Sequence, residues 1–287
     1  MAIFRMMVGL PGSGKDYYIS QNKKDTDVVL SSDGIRAELG EVNDQSQNEK
    51  VFGILYDRMR QAIADGKDIW FNATNVTIKN RKRALDMVRN RNYEVVAVVI
   101  ATPVERCIAQ DKQRDRNVGE EVIQKFVSRF QMPVYGEGFT DIIVVGNNEL
   151  LDMVKACLMM RKTEQTSKWH KENVYDHACM VNELFNYNSR QMYVFFHDIG
   201  KVFTQTKDEK GYHFKTHENV GAYYLLTHPI YGEVDLDGIF LVNYHMLLKR
   251  DCKPETLAKY KRLFGDEKFE LLMRFCKADE EGAIREV

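Results

Sequence analysis

The sequence predicts an α/β domain, a mostly parallel sheet with helices on both faces, followed by an all-α domain. Three observations predict it. Over residues 1–146 short apolar runs alternate with helix-period segments, the pattern of a buried parallel sheet. From Asn173 onward the helical period continues almost without interruption. All seven histidines lie between His170 and His245, so the two halves are chemically different. A chain of 287 residues suits two domains of about 100–200 residues each.

Ile3–Leu10, Val28–Ser31, Asp68–Asn72, Tyr93–Ala101 and Asp141–Val145 are bounded runs rich in Val and Ile, and read as strands. Lys15–Gln21, Gln47–Ala64, Lys79–Arg91, Val104–Lys112 and Glu120–Phe130 read as the helices between them. Glu149–Arg161 forms another helix. Lys162–Lys168 is polar and without period, which predicts a linker and domains at 1–162 and 163–287. Within the helical half, Thr206–Thr216 reads as a small hairpin.

Hydrophobic residues at 44% and charged residues at 29% exclude a disordered chain. The net charge of -1 excludes a wholesale basic coat, so nucleic acid would need a local patch. Residues 1–169 carry 25 Lys and Arg against 23 Asp and Glu, whereas residues 170–287 carry 16 against 19. The first half holds two basic stretches, one around Lys79–Arg91 and one at Arg106–Arg116, most of which read as solvated helix faces. Five scattered cysteines without a C-x-x-C argue against a disulfide framework and fit a reducing compartment. Val95–Ala101, the longest apolar stretch, is too short to span a bilayer, and no signal peptide is evident. A cytoplasmic protein is expected, in the host cytoplasm if phage-encoded.

Gly9-Leu-Pro-Gly-Ser-Gly-Lys15-Asp16 follows an apolar strand and opens a helix. Its glycines let backbone N–H groups turn inward as an anion nest. The helix N-terminus adds positive charge, and Lys15 reaches the β- and γ-phosphates. Gly9, Gly12, Ser13, Gly14, Lys15 and Asp16 are the candidate nucleotide-binding residues; a plain glycine-rich turn fits the combination less well. Asp16 stands where Ser or Thr ordinarily ligates Mg2+. A carboxylate repels triphosphate unless a cation lies between, and Asp itself ligates Mg2+. The position therefore fits either an altered metal site or a site that binds nucleotide without turnover.

The second strand closes in Ser31-Ser-Asp33-Gly-Ile-Arg36. Carboxyl ends of parallel strands are where such sheets do chemistry. Asp33 suits a base for a hydroxyl nucleophile, and Arg36 a phosphate clamp. An N-cap aspartate beside Ser32 is the equal alternative.

These elements occur with Phe71-Asn-Ala-Thr-Asn75 followed by Arg81, with Arg114-Asp-Arg-Asn-Val-Gly-Glu-Glu-Val-Ile123, and with the closing run Val134–Val145. Together they resemble the phage polynucleotide kinase branch of P-loop kinases across the whole first domain. The resemblance implies an α/β P-loop kinase fold using ATP and Mg2+. It implies Asp33 as general base for a polynucleotide 5′-OH and Arg36 as the acceptor clamp. Arg114 or Arg116 would be the lid arginine, and Thr74 and Asn75 would face the substrate. The family usually has Asp where this chain has Asn72.

In the second half His177 lies in an amphipathic helical run, followed by Phe195-Phe-His197-Asp198-Ile-Gly-Lys201. His213, His217-Glu218, Tyr244-His245 and Asp279 come next. A lone apolar-face histidine is usually a satisfied core residue. A His–Asp pair among Phe and Ile is costly to bury unless something such as a metal satisfies it. On a helix the two side chains point about 100° apart, so they bracket one ion or each face one of two. Imidazole with carboxylate suits a borderline or hard divalent ion. His170, His213 and His228 read as structural, with His213 able to approach substrate. Glu218 reads as a metal-adjacent base or a helix charge.

This half resembles the HD phosphohydrolase family, whose His, His-Asp doublet and downstream Asp map to His177, His197, Asp198 and Asp279. The resemblance implies an all-α HD domain holding one or two divalent transition metals such as Mn2+, Zn2+, Ni2+ or Co2+. His217 and His245 would be second-metal ligands or phosphate binders, and Lys201 would contact phosphate.

Joined, the two resemblances imply nucleic-acid end healing, with RNA the expected substrate. Ribonuclease cuts often leave a 2′,3′-cyclic phosphate and a 5′-OH, whereas a ligase needs a 3′-OH and a 5′-phosphate. Nucleotide, nucleic-acid ends and a downstream ligase are the expected partners, with no membrane. The alternative is an HD-type nucleotide phosphohydrolase with a regulatory, non-transferring ATP-binding domain, which Asp16 and Asn72 favour. A small-molecule kinase joined to a phosphatase and a nucleotide-responsive binding protein are further readings.

Overall fold

A computed structural model describes residues 1–40, 48–114, 117–146, 149–166, 170–185, 191–248 and 252–283. The chain divides into two compact units, Met1–Phe126 with Pro133–Asn147, and Val127–Met132 with Asn148–Val287.

In the first unit β1 (Ala2–Val8), β2 (Val28–Ser31), β3 (Ile69–Asn72), β4 (Tyr93–Ile100) and β5 (Asp141–Val145) form one sheet in the order β2-β3-β1-β4-β5. Every pairing is parallel, with Met6 opposite Phe71 on one side and Ala97 on the other. The connecting helices are α1 (Lys15–Asn22), α2 (Ser32–Glu38), α3 (Asn48–Ala64), α4 (Ile78–Val88), α5 (Val104–Asp111) and α6 (Glu120–Val127). The sequence pattern does not predict α2, because seven residues are too few for a helical period to register.

Strand alternation sends neighbouring side chains to opposite faces. Met7, Trp70, Val96, Val98 and Ile100 pack with Ile19 of α1 in one buried cluster. Phe71 instead meets Phe4 and stacks on Tyr56 of α3, at 5.9 and 6.1 Å between ring centroids. Helices thus cover both faces, as the continuous apolar strands require. β1 is the central strand, and the chain switches sides there, so the crevice beyond its carboxyl end is where ligands bind in such sheets.

The second unit comprises α7 (Met153–Lys162), α8 (Val174–Phe185), α9 (Gln191–Phe195), α10 (Lys201–Thr204), α11 (His217–Thr227), α12 (Leu236–Tyr244), α13 (Pro254–Phe264) and α14 (Asp266–Glu281). β6 (Thr206–Asp208) and β7 (Gly211–His213) form the expected antiparallel hairpin. Val181, Tyr193, Leu225, Leu226, Leu241 and Phe275 are fully buried and knit the helices together. α7 packs against α8 and α10. Among the described residues no helix is long and apolar enough to cross a membrane.

Two expectations need correction. The segment read as a linker is built in: Thr163 and Gln165 are buried, and Glu164 bridges to Asn173. Ser167 and Lys168 of that segment lie outside the described residues. The His197-Asp198 doublet is not on a helix but in the turn between α9 and α10. There Ile199 N bonds Phe196 O and Lys201 N bonds Asp198 O, three-residue bonds tighter than an α-helix's.

Candidate functional site

Each unit carries its own cluster of candidate side chains. In the first, β1 runs into the loop Gly9–Gly14, and α1 begins at Lys15. Gly12 has φ +72, and a Cβ there would lie 2.4 Å from the Cys107 carbonyl oxygen, so only glycine lets the loop seat against α5. Gly9 N donates to Thr74 O, and Thr102 Oγ1 donates to Ser13 O, fixing the loop between β3 and β4. The buried Ser13 hydroxyl has no partner. Gly14, also left-handed, precedes the helix without a side-chain cap. First-turn N–H groups therefore remain for an anion.

Lys15 is buried, and its Nζ donates to Gly9 O at 3.1 Å and Leu10 O at 2.6 Å. Burial pushes its pKa down to about 8, partly offset by the Asp16 and Asp33 charges. Asp16 accepts a 2.6 Å hydrogen bond from Asn72 Nδ2 at the end of β3.

Asp33 is not the N-cap of α2. Ser31 is, its Oγ accepting from Gly34 N. Asp33 sits in the first turn with a well-exposed side chain, 3.2 Å from Arg36 Nη1 and 3.9 Å from Arg114 Nη2. Arg36 also donates to Asn48 Oδ1. Arg114 lies 3.9 Å from buried Asp111, whose Oδ2 accepts from Val118 N and Gly119 N. The structure thus gathers Asp33, Arg36 and Arg114 at one place and ties Val118 and Gly119 to Asp111. Arg116 lies outside the described residues.

Asn75 and Arg81 depart from expectation. Asn75 is buried with φ +49, and its amide bonds Met7 O rather than facing substrate. Arg81 is fully buried on Glu137 and also donates to Asn75 O. In the sequence it lies inside a basic stretch, and no local signal sets it apart from its solvated neighbours.

In the second unit four histidines share one orientation. The Nδ1 atoms of His177, His197, His217 and His245 reach the carbonyls of Gly282, Val194, Phe214 and Val242 at 3.2, 2.7, 2.8 and 2.7 Å. A carbonyl accepts only, so each Nδ1 carries a proton and each Nε2 is turned inward, the orientation of metal-ligating imidazoles. Each Nε2 meets a carboxylate: His177 lies 2.9 Å from Asp279, His217 3.1 Å and His245 3.6 Å from Asp198, and His197 3.3 and 3.4 Å from Asp198 and Asp279. His177, His197 and Asp279, and again His197, Asp198 and His245, bring ligand atoms within 4.8 Å of one another. All are buried.

His197 Nε2 is buried with no hydrogen-bond partner. Burial opposes a charge there, yet the Asp198 and Asp279 carboxylates outweigh it and push the imidazole up to about 9. The two carboxylates thus call for positive charge beside His197 Nε2, a proton when no ion is held there, and a divalent ion suits the same donor set. Burial pushes His245 down, keeping it a neutral donor.

Gly200 makes this convergence possible. A Cβ there would lie 2.0 Å from His217 O, so glycine lets the doublet turn press against the start of α11. Lys201 is buried, with Nζ 2.6 Å from Asp198 Oδ2 and donating to Gln165 Oε1 at 2.7 Å. Gln165 is missed by sequence reading, since nothing in its polar surroundings signals burial. His170, read as structural, lies beside the cluster, its Nδ1 2.7 Å from Glu172, whose carboxylate is 3.6 Å from His177 Nδ1. His213 pairs with Asp208 in the hairpin, and His228 bonds Tyr224 O, so both are apart from the cluster. Glu218 lies 3.7 Å from His217 Nδ1, on the side away from the Nε2 convergence.

Comparison with known proteins agrees with the first unit. Residues 5–133 match a family described as an AAA domain. With the loop and sheet order, this match fits an α/β P-loop kinase-like domain, for which ATP and Mg2+ are the implied ligands. Among solved structures, a chain of the Pnkp1/Rnl/Hen1 RNA repair complex is similar at 17% identity and a TM-score of 0.41, covering 45% of this chain. The similar region is 43% of that chain, so less than half its length is spanned. No curated protein matches.

Proposed function

We propose that the chain heals nucleic-acid ends, RNA above all. The first unit phosphorylates a 5′-OH from ATP, and the second removes a 2′,3′-cyclic or 3′-phosphate as an HD-type phosphohydrolase. The observation that carries the reading is the inward convergence of four Nε2 atoms on Asp198 and Asp279, beside Lys201, in a chain whose other unit is a P-loop kinase-like domain.

In the first unit Asp33 takes the proton of the 5′-hydroxyl as its oxygen bonds the γ-phosphorus and the bond to the β–γ bridging oxygen breaks. Its half-open position suits an incoming hydroxyl. Arg36 holds the acceptor phosphate, and Arg114 draws charge from the donor. Lys15 leaves Gly9 and Leu10 for the β- and γ-phosphates. Mg2+ would neutralise the triphosphate, and Asp16, hydrogen-bonded to Asn72, would help to hold it.

In the second unit His177, His197, Asp198 and Asp279, with His217 and His245, would hold one or two divalent ions such as Mn2+, Zn2+, Ni2+ or Co2+, which acidify water and neutralise phosphoryl oxygens. Lys201 has three N–H donors, and Asp198 and Gln165 occupy two directions, leaving one for a phosphate oxygen. The carbonyls behind the Nδ1 atoms keep the rings from turning.

Incubation with labelled ATP and a 5′-OH RNA oligonucleotide tests the kinase half. Label on the RNA, lost in Lys15→Ala and Asp33→Ala, supports transfer. Label never above background with Mg2+ or Mn2+, together with hydrolysis of free nucleotides, favours a nucleotide phosphohydrolase with a regulatory ATP-binding domain.

A further inference from the structure

The two positions where the phosphate site departs from the P-loop kinase pattern touch each other: Asn72 Nδ2 donates to Asp16 Oδ1 at 2.6 Å. We infer that the pair is an exchanged cation site, in which Asp16 supplies the carboxylate that ligates the nucleotide's divalent ion and Asn72 orients it.

In P-loop enzymes the ion is held by the hydroxyl after the lysine and by an acid on a core strand. Here the first position is Asp16, in the first turn of α1, and the second is Asn72, at the end of β3. β3 is hydrogen-bonded directly to β1, so both positions border the loop that leaves β1. One carboxylate and one neutral polar group are present in either arrangement. The charge facing the ion is unchanged, and only its place differs. An acid at position 72 with Asp16 kept would set two carboxylates within hydrogen-bonding distance, where they repel. The amide removes that repulsion and engages one Asp16 oxygen, and the second oxygen suits a hard cation.

A helix-dipole charge is the simpler account of an exposed Asp16. It does not account for Asn72, only 6% exposed, directing its amide onto that carboxylate. The exchanged site accounts for both departures at once. It also carries a sign: Asp16 repels triphosphate without a divalent ion and binds the complex with one.

The inference rests on the nucleotide-binding reading of the first unit. A fluorescent ATP analogue is titrated into the full chain with Mg2+ and with EDTA, for the wild type, Asp16→Asn, Asn72→Asp and the double variant Asp16→Ser/Asn72→Asp. Thermal melts confirm that each variant is folded. The ratio of affinity with Mg2+ to affinity with EDTA should fall about tenfold or more in Asp16→Asn. That variant should bind more weakly than wild type with Mg2+ and more tightly with EDTA. Asn72→Asp should weaken binding, and the double variant should recover it. An unchanged ratio in Asp16→Asn, or a double variant no better than Asn72→Asp, overturns the exchanged site while leaving nucleotide binding intact. A folded wild type that binds no nucleotide in either condition overturns this inference and the kinase reading together.

Discussion

Arg81 and Glu137 form a bidentate ion pair inside the first unit, with Nε and Nη2 each 2.8 Å from a different carboxylate oxygen. Arg81 Nη1 also donates to Asn75 O, whose side chain grips β1. Removing one partner of such a pair leaves a buried charge and costs about 3–5 kcal/mol, whereas replacing both with apolar groups costs much less. Arg81→Met should destabilise the first unit by about that amount in chemical denaturation, and Arg81→Met/Glu137→Leu should recover part of it. Equal destabilisation by the single and double variants would mean that the charge is not what the pair contributes.

Lys15 gives a pH dependence. Burial lowers its pKa from 10.5 to about 8, and bound phosphates favour the charged form. Below that value the free protein already carries the proton. Above it, nucleotide binding must take one up, so affinity should fall as pH rises, with a slope approaching about one in log Kd per pH unit. Folding alone runs the other way: the unfolded lysine holds its proton longer, so this group makes the fold gain stability between pH 8 and 10.5. Nucleotide titrations of wild type and Lys15→Arg across that range check the sign. A slope persisting in Lys15→Arg assigns it to another group.

Gly200→Ala should separate the doublet from α11. Its Cβ would meet His217 O at 2.0 Å, a clash with backbone that no side-chain rotation relieves. Overpacking of this kind costs about 1–3 kcal/mol. The shift moves His217 from Asp198, so phosphate release should drop beyond what the loss of stability explains. Thermal melts paired with phosphate assays separate the two effects.

Metal content reports on the second cluster directly. The wild type should retain a divalent ion after gel filtration, and Asp198→Asn should bind it about tenfold or more weakly, because Asp198 faces His197, His217 and His245. Elemental analysis of both proteins decides it. Equal metal content in the two would remove Asp198 from the ligand set.

Much of this was legible in the sequence, for physical reasons. The Gly9–Lys15 loop, the continuous strands and the confinement of histidine to one half are local or compositional signals. The structure brings His177, His197, Asp198 and Asp279 together although Asp279 lies far downstream, because α14 packs on α8. What the sequence hides is burial decided by tertiary neighbours. Arg81 looked like its solvated neighbours Lys82 and Arg89, which do pair with Asp86 at the surface. Gln165 lay in a stretch with no apolar period, yet it holds Lys201. Asp16 and Asn72 each stood out alone, and their contact appears only when α1 and β3 are side by side.

One RNA carrying both a 5′-OH and a 2′,3′-cyclic phosphate tests the central claim most directly, followed at both ends with ATP and a panel of divalent metals. The wild type should yield a 5′-phosphate and release the 3′ phosphate, with loss of only the first in Asp33→Ala and loss of only the second in Asp198→Asn. Ends left unchanged at both positions by a folded, metal-loaded, nucleotide-binding wild type would contradict it.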